Sequence, residues 1–176
     1  MRLCRFYQSG ELNLSATVKL DKEVSNHIHR VLRLKPDDLI QLFNGDGLNY
    51  EAKIISVSKT VSVEILATTI VDLQSPLQIH LGQAISKGER MDYTLQKSVE
   101  LGVDIVTPLI SERVQFRFDE KRLNRKIEHW QKVIESACEQ SGRTKIPLLN
   151  TPIHIEKWLN INHCPGLLFV PDAQMR

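Results

Sequence analysis

Hydrophobic and polar positions follow two different rules along this chain. Through about residue 70 the apolar positions alternate in short runs bounded by turn residues, the pattern of half-buried strands. "LIQLFNGDGLNYEAKIISV" sets Gly45, Asp46 and Gly47 between two such runs, which predicts a hairpin, and "TVSVEILAT" alternates as a further strand. One segment breaks the alternation. In "DKEVSNHIHRVLRL" Val24, Ile28, Val31 and Leu32 recur at helical spacing, which predicts a short inward-facing helix. Asp21 is placed to cap it, and His27, Arg30 and Arg33 are left to reach outward. The result is a small β-barrel with one helix. "DLQSPLQ", around Ser75 and Pro76, reads as a linker. The units are therefore 1–72 and 79–176, joined by 73–78.

Beyond Pro76 the pattern becomes strand, helix, strand: "LQIHLGQAIS", "SKGERMDYTLQKSVELGV" and "VDIVTPLIS". Two strands joined by one helix imply a parallel sheet with a right-handed crossover. Within the helix Met91, Leu95 and Val99 form the apolar stripe, Gly102 ends it, and Ser86 with Glu89 fits a capping box that starts it at Ser86. Opposite the stripe, Arg90, Tyr93, Lys97 and Glu100 fall within roughly 80° of one another. A solvated face explains that much, since a Lys97–Glu100 pair at i, i+3 contributes only a few tenths of a kcal/mol. A longer helix follows in "EKRLNRKIEHWQKVIESACEQSG", with Leu123, Ile127, Trp130, Val133, Ile134, Ala137 and Cys138 inward and Gly142 at its end. "GLLFVPDA" reads as another buried strand. In open α/β sheets ligands bind beyond the carboxyl ends of strands, so the loops after Ile85, Ile110 and Val170 form the expected site edge.

With 41% hydrophobic and 25% charged residues, the 176-residue chain has the composition of one or two modest globular domains. No signal-peptide pattern and no apolar run near the roughly 18 residues of a membrane span occur, so a cytoplasmic location and no membrane partner are expected. Cys4, Cys138 and Cys164 lack metal-ligand spacing and read as reduced thiols. Among 8 glycines there is no dinucleotide or phosphate-loop motif, and the six histidines hold no zinc-protease pattern, which argues against a P-loop enzyme and against a metal centre. Charge is uneven despite a net of only +2: Arg113 to Lys132 carry 7 basic residues against 3 acidic. Such a cluster is either a solvated helix face or a phosphate footprint. In "ACEQSGRTKIP" Glu139, Gln140 and Arg143 gather at a helix C-terminus. The dipole alone favours an arginine there, yet the same trio could hold a phosphate and a planar base.

"KGERMDYTLQKSVELGVDIVTPLISERVQ" and "ESACEQSGRTKIP", with "RFY" near the start and "HIHRVLRLKPDD" after it, closely resemble the bacterial small-subunit ribosomal RNA methyltransferase E family over nearly the whole chain. The resemblance implies an α/β protein with an N-terminal PUA-like β-barrel that helps bind RNA and a SPOUT-type parallel-sheet domain with a trefoil knot. It further implies S-adenosylmethionine as cofactor, N3 of one uridine in 16S rRNA of the small ribosomal subunit as target, and a homodimer. Lys87, Arg90, Lys97, Glu100, Arg113, Glu139, Gln140 and Arg143 are the matching motif positions. The N3 of uracil is a weakly acidic imide, so transfer needs its proton removed or its charge stabilised. Arg143 is the candidate for that charge or for an adjacent phosphate, with Glu100 or Glu139 as orienting partner or base. On this reading Arg143→Ala cuts transfer far more than folding stability. Lys87, Arg90, Lys97, Arg113 and Gln140 are expected to face RNA, and Arg5, Arg30 and Arg33 to hold its phosphates from the barrel. Family members continue past "GLLFVPDA" into a Gly-Pro-Glu-Gly-Gly loop and a Leu-Gly-x-Arg-Ile-Leu-Arg segment, which form the knot and most of the cofactor pocket. Here only its edge, at Val170, Pro171 and Asp172, is present. A chain ending at Arg176 is expected to bind the cofactor weakly or not at all; the alternative to an enzyme is a truncated, non-catalytic RNA-binding module.

Overall fold

A computed structural model of the chain describes residues 3–71, 75–112, 119–161 and 166–167. The alternating half folds into β1 (Cys4–Tyr7), β2 (Thr17–Lys19), β3 (Leu39–Phe43), β4 (Leu48–Ser56) and β5 (Ser62–Ile70). Their order is β1-β3-β4-β5-β2, antiparallel except for the β1–β3 pair. Period-two alternation sends Ile40, Leu42, Tyr50, Ala52, Ile54, Val63 and Ile65 to one core with Phe6, Leu20 and Ile28. The hairpin turn is where the sequence places it. Gly45 and Gly47 both take positive φ, and the Asn44 and Asp46 side chains accept from the N–H groups of Asp46 and Leu48. The sheet is thus mixed and five-stranded, with its core on one face.

The short helix departs from its predicted period. α1 (Lys22–Asn26) runs into a π-helical stretch, His27–Leu32, that Arg33 ends in the left-handed conformation. The wider turn keeps Ile28 buried but leaves Val31 68% and Leu32 37% exposed, where a 3.6 period would turn them inward. Asp21 sits at the N-cap, yet its carboxylate accepts from the Ser9 hydroxyl instead of capping the helix.

The second sheet is parallel. β6 (His80–Ala84) lies along one edge of β7 (Ile105–Ile110), and the short β8 (Leu148–Leu149) and β9 (Ile153–His154) follow one another along the other. α2 (Glu89–Glu100) and α3 (Glu120–Ser141) cover one face, packing Met91, Leu95 and Val99 with Trp130, Ile134, Ala137 and Cys138 over Ile85, Val103 and Val106. The predicted stripes are the buried ones. α2 begins at Glu89 after Gly88, not at Ser86, and Ser86 makes no cap. The cause lies in the sheet: Ile85 N–H donates to Leu109 O at 2.9 Å, prolonging β6 and delaying the turn. The predicted strand in "GLLFVPDA" falls, apart from Gly166 and Leu167, outside the described residues.

α4 (Ile155–Ile161) lies on the opposite face and presses the Trp158 ring onto Gly82. A Cβ at Gly82 would stand 2.7 and 2.8 Å from two atoms of that ring and 3.1 Å from Leu109 Cδ1, so only glycine admits it. Gly82→Ala is expected to lower stability by about 1 to 3 kcal/mol through overpacking. The Trp158 emission should shift to the red as the ring is pushed toward solvent; calorimetry and fluorescence check both effects.

The end of the barrel's β3 reaches into the second core. Phe43, at the end of β3, is fully buried in the α/β core, and Tyr7 of β1 packs beside it.

Candidate catalytic edge and nucleic-acid interface

β6 and β7 end together, and the Ser86–Gly88 turn carries the chain from that edge into α2. Lys87 and Arg90 are exposed beside it. Farther along α2, Tyr93 is 64% exposed and Lys97 Nζ lies 5.8 Å from its ring centroid. Lys97 Nζ donates to Glu100 Oε2 at 2.6 Å and Gln96 Nε2 to Glu100 Oε1 at 3.0 Å. The Lys97 hydrogen bond holds the Glu100 carboxyl below its ordinary value, which makes it a poorer proton acceptor. Arg90, Tyr93, Lys97 and Glu100 thus share one outer face, as the sequence predicts. They do not share one end of it. α2 has 12 residues, a rise of about 18 Å. Lys87 and Arg90 stand at the carboxyl edge of the strands, whereas Glu100 stands at the amino edge, where β7 begins.

Arg143 belongs to that amino edge too. Its Nη1 donates to Val99 O at 3.1 Å and to Val103 O at 2.7 Å, and its Nη2 lies 3.5 Å from Asp104 Oδ1. Asp104 Oδ2 in turn accepts from Ile79 N–H at 3.0 Å. The guanidinium, with its side chain 11% exposed, therefore closes the C-terminus of α2 and ties it to the entrances of β6 and β7. Gly142, at φ 83°, makes the left-handed turn out of α3 that brings Arg143 there. Arg143 and Glu100 line one hollow, but it faces away from the carboxyl ends of the strands.

Glu139 and Gln140 lie elsewhere again, at the joint between the units. With Arg5, His27, Gln41 and Asn49 they line a groove of about 660 Å³. Glu139 Oε1 accepts from Tyr7 N–H at 2.8 Å, and burial raises its carboxyl above the ordinary range. Arg5, expected on the RNA side, points into the joint instead. Arg30 and Arg33 remain exposed on the π-helical turn. Arg113, Val170, Pro171 and Asp172 lie outside the described residues. Among the described residues no three His, Cys, Asp or Glu side chains gather as metal ligands. Asp104 and Phe43, which organise these contacts, carry no sequence signal beyond a polar residue before a strand and an apolar one at its end.

A neighbouring groove holds Asp21, Lys22, Glu23, Lys132 and Glu135. Lys132 pairs with Glu23, while burial raises the Glu135 carboxyl, with Glu23 and Asp21 adding to the shift. A carboxyl raised on folding binds its proton more tightly in the folded chain, so stability falls as pH climbs from the ordinary glutamate range through the raised value. Glu135→Gln keeps an amide oxygen for the Gln131 donor and removes the charge. The variant is expected to match the parent near pH 4 and to melt higher at pH 7; calorimetry at the two pH values checks this.

Known proteins share this arrangement. A family model described as an RNA methyltransferase domain matches residues 73–174, and an RNA methyltransferase PUA domain matches 20–66. The ribosomal RNA small subunit methyltransferase E of Buchnera aphidicola from Acyrthosiphon pisum is 36% identical over 177 residues, covering 99% of this chain and 70% of the relative. Its counterpart from the Schizaphis graminum symbiont is 38% identical, covering 89% and 64%. Two solved structures superpose closely. A Legionella pneumophila putative methyltransferase in complex with S-adenosylmethionine has a TM-score of 0.89 at 41% identity, covering 93% of this chain and 68% of that one. The ribosomal RNA small subunit methyltransferase E of Neisseria gonorrhoeae, bound to S-adenosylmethionine, scores 0.86 at 40% identity, covering 94% and 67%. The chain thus spans about two thirds of the length of these relatives, between 64% and 70%.

Proposed function

The chain belongs to the ribosomal RNA small subunit methyltransferase E family, and on that premise we propose that its protein transfers a methyl group from S-adenosylmethionine to small-subunit ribosomal RNA in the cytoplasm. The observation that carries the reading is its superposition, at about 40% identity, on two methyltransferases that hold S-adenosylmethionine. The finer target is N3 of a uridine in 16S rRNA. The carboxyl ends of β6 and β7 lie side by side, the position beyond which open α/β sheets bind their ligands. Val170, Pro171 and Asp172 would hold the cofactor there. When bound, it supplies an electrophilic methyl group.

This chain's own residues would prepare the base. Uracil N3, a weakly acidic imide, becomes nucleophilic when its proton passes to solvent water, and the charge then spreads to the two flanking carbonyl oxygens. Lys87 and Arg90 stand at the edge where such a base would lie, and we assign them the developing charge. Arg143 and Glu100 then position α2 within their own subunit. The exposed Tyr93 and the 81% exposed Leu101 suit α2 to contact with a second copy. A homodimer in which the two α2 helices run antiparallel brings the Glu100 end of one beside the Lys87 end of the other, as a two-fold axis allows. Arg30 and Arg33, with Lys97 on α2, are the proposed phosphate contacts, and the base must leave any stack to enter the site.

The test is transfer of label from methyl-labelled S-adenosylmethionine to small ribosomal subunits by the complete protein. Labelled RNA is the expected result. RNA binding that weakens with salt, without label at any cofactor concentration, would make this a binding module instead.

A further inference from the structure

Two helix C-termini meet near the joint between the units, and each is closed by an arginine from outside its own helix. Arg143 closes α2. The last turn of α3 contains no basic residue, and its negative dipole end is met by Arg5 from β1, in the other unit. Arg5 Nη1 donates to Cys138 O at 2.6 Å, its Nη2 to Arg143 O at 2.7 Å, and its Nε to Asn49 Oδ1 at 3.2 Å. Three of the five guanidinium N–H groups are thus spent on acceptors spread over both units. The guanidinium also stacks 3.7 Å from the centroid of Phe43, the β3 residue buried in the α/β core. Two residues on, the backbone of the same strand makes a second crossing, Tyr7 N–H to Glu139. Burial pulls the Arg5 guanidinium down to about 10, still protonated at neutral pH.

We infer that Arg5 is a positioning residue that locks the barrel to α3 and, through the backbone of Arg143, to the α2 face, and is not one of the RNA contacts. The planar fork matters here as much as the charge. A phosphate contact tolerates lysine, which carries the same charge, whereas a clamp that reaches three acceptors and stacks on an aromatic ring does not. If the protein methylates RNA as proposed above, the lock fixes how RNA gripped by Arg30 and Arg33 is presented to Lys87 and Arg90.

The test compares Arg5→Lys and Arg5→Gln in the complete protein by amide hydrogen exchange. The Tyr7 amide reports on the joint, because its acceptor is across it. The Gln8 amide reports on the barrel, because it donates to Phe43 O at 3.0 Å. Both variants should speed exchange at Tyr7 at least about tenfold while Gln8 stays within about twofold of the parent. The catalytic readout is separate: kcat/KM for ribosomal subunits should fall through KM, with cofactor affinity unchanged, and lysine should rescue neither effect. Parent-like protection at Tyr7 in Arg5→Gln would overturn the inference. So would restoration of RNA affinity by Arg5→Lys, which marks a phosphate contact, or equal loss of protection at Tyr7 and Gln8, which marks a barrel-folding residue. The exchange arm needs no RNA or cofactor, so its outcome is independent of the proposed activity.

Discussion

Replacing Arg143 with alanine is expected to cost about 3 kcal/mol of stability, because it removes charged hydrogen bonds to Val103 O and to Val99 O, which is otherwise met by the Gly102 N–H at 3.1 Å. Val99 O and Val103 O lie at and just past the last turn of α2, where the helix leaves carbonyls without intrahelical partners. Water cannot readily replace the guanidinium, since its side chain is only 11% exposed. Asp104 would also lose its counter-charge beside the entrance to β6, which it holds through Ile79 N–H. For a chain of this size the loss corresponds to a fall of about 6 to 12 °C in melting temperature. Arg143→Lys, which keeps the charge and loses the fork, should recover only part of it. Activity measured at a temperature where the variant is folded then separates positioning from chemistry. A melting temperature within about 2 °C of the parent would return Arg143 to the role its motif suggests, acting on RNA first and on folding second.

The double substitution Lys87→Ala with Arg90→Ala should do the reverse. Both side chains are exposed, so stability should move by no more than about 0.5 kcal/mol for each. Methyl transfer should fall about 100-fold or more in kcat, the scale seen when a donor to developing charge is removed. The salt dependence of RNA binding sharpens the assignment. Cations that only hold phosphates lower the slope of log affinity against log salt by about 0.7 each on a single strand, and their loss appears in KM. An unchanged kcat with a flatter slope would make Lys87 and Arg90 RNA anchors and remove them from the chemistry.

Much of the scaffold is legible in the amino-acid pattern alone. The stripe Met91, Leu95, Val99 and the stripe through Trp130, Ile134 and Cys138 are buried as their spacing requires, because a helix with one apolar face has one way to hide it. The Gly45–Gly47 hairpin is equally legible, since positive φ narrows the choice of residues. Val31 and Leu32 are not, because a π-helical stretch changes the period on which their expected burial rests. The start of α2 falls three residues beyond its expected place for a related reason. A local capping pattern at Ser86 competes with one more sheet hydrogen bond at Ile85, and the tertiary bond wins. β8, β9 and α4 escape notice because two-residue strands and a seven-residue helix carry too little periodicity to stand out. Site residues suffer most. Spacing shows that Arg90, Lys97 and Glu100 share a face, but not that the face has a carboxyl end and an amino end. Nor does it show that Arg5, 138 residues before Arg143, spends its donors on a helix terminus.

The most direct measurement is mass spectrometry of the nucleosides released from small ribosomal subunits after incubation with the complete protein and methyl-labelled S-adenosylmethionine. Label is expected in a methylated uridine with the methyl on N3, and is expected to disappear when Lys87 and Arg90 are both alanine. Unlabelled RNA in the presence of folded, cofactor-bound protein would contradict the proposed function, and label on any other base or atom would contradict the imide chemistry assigned to this edge.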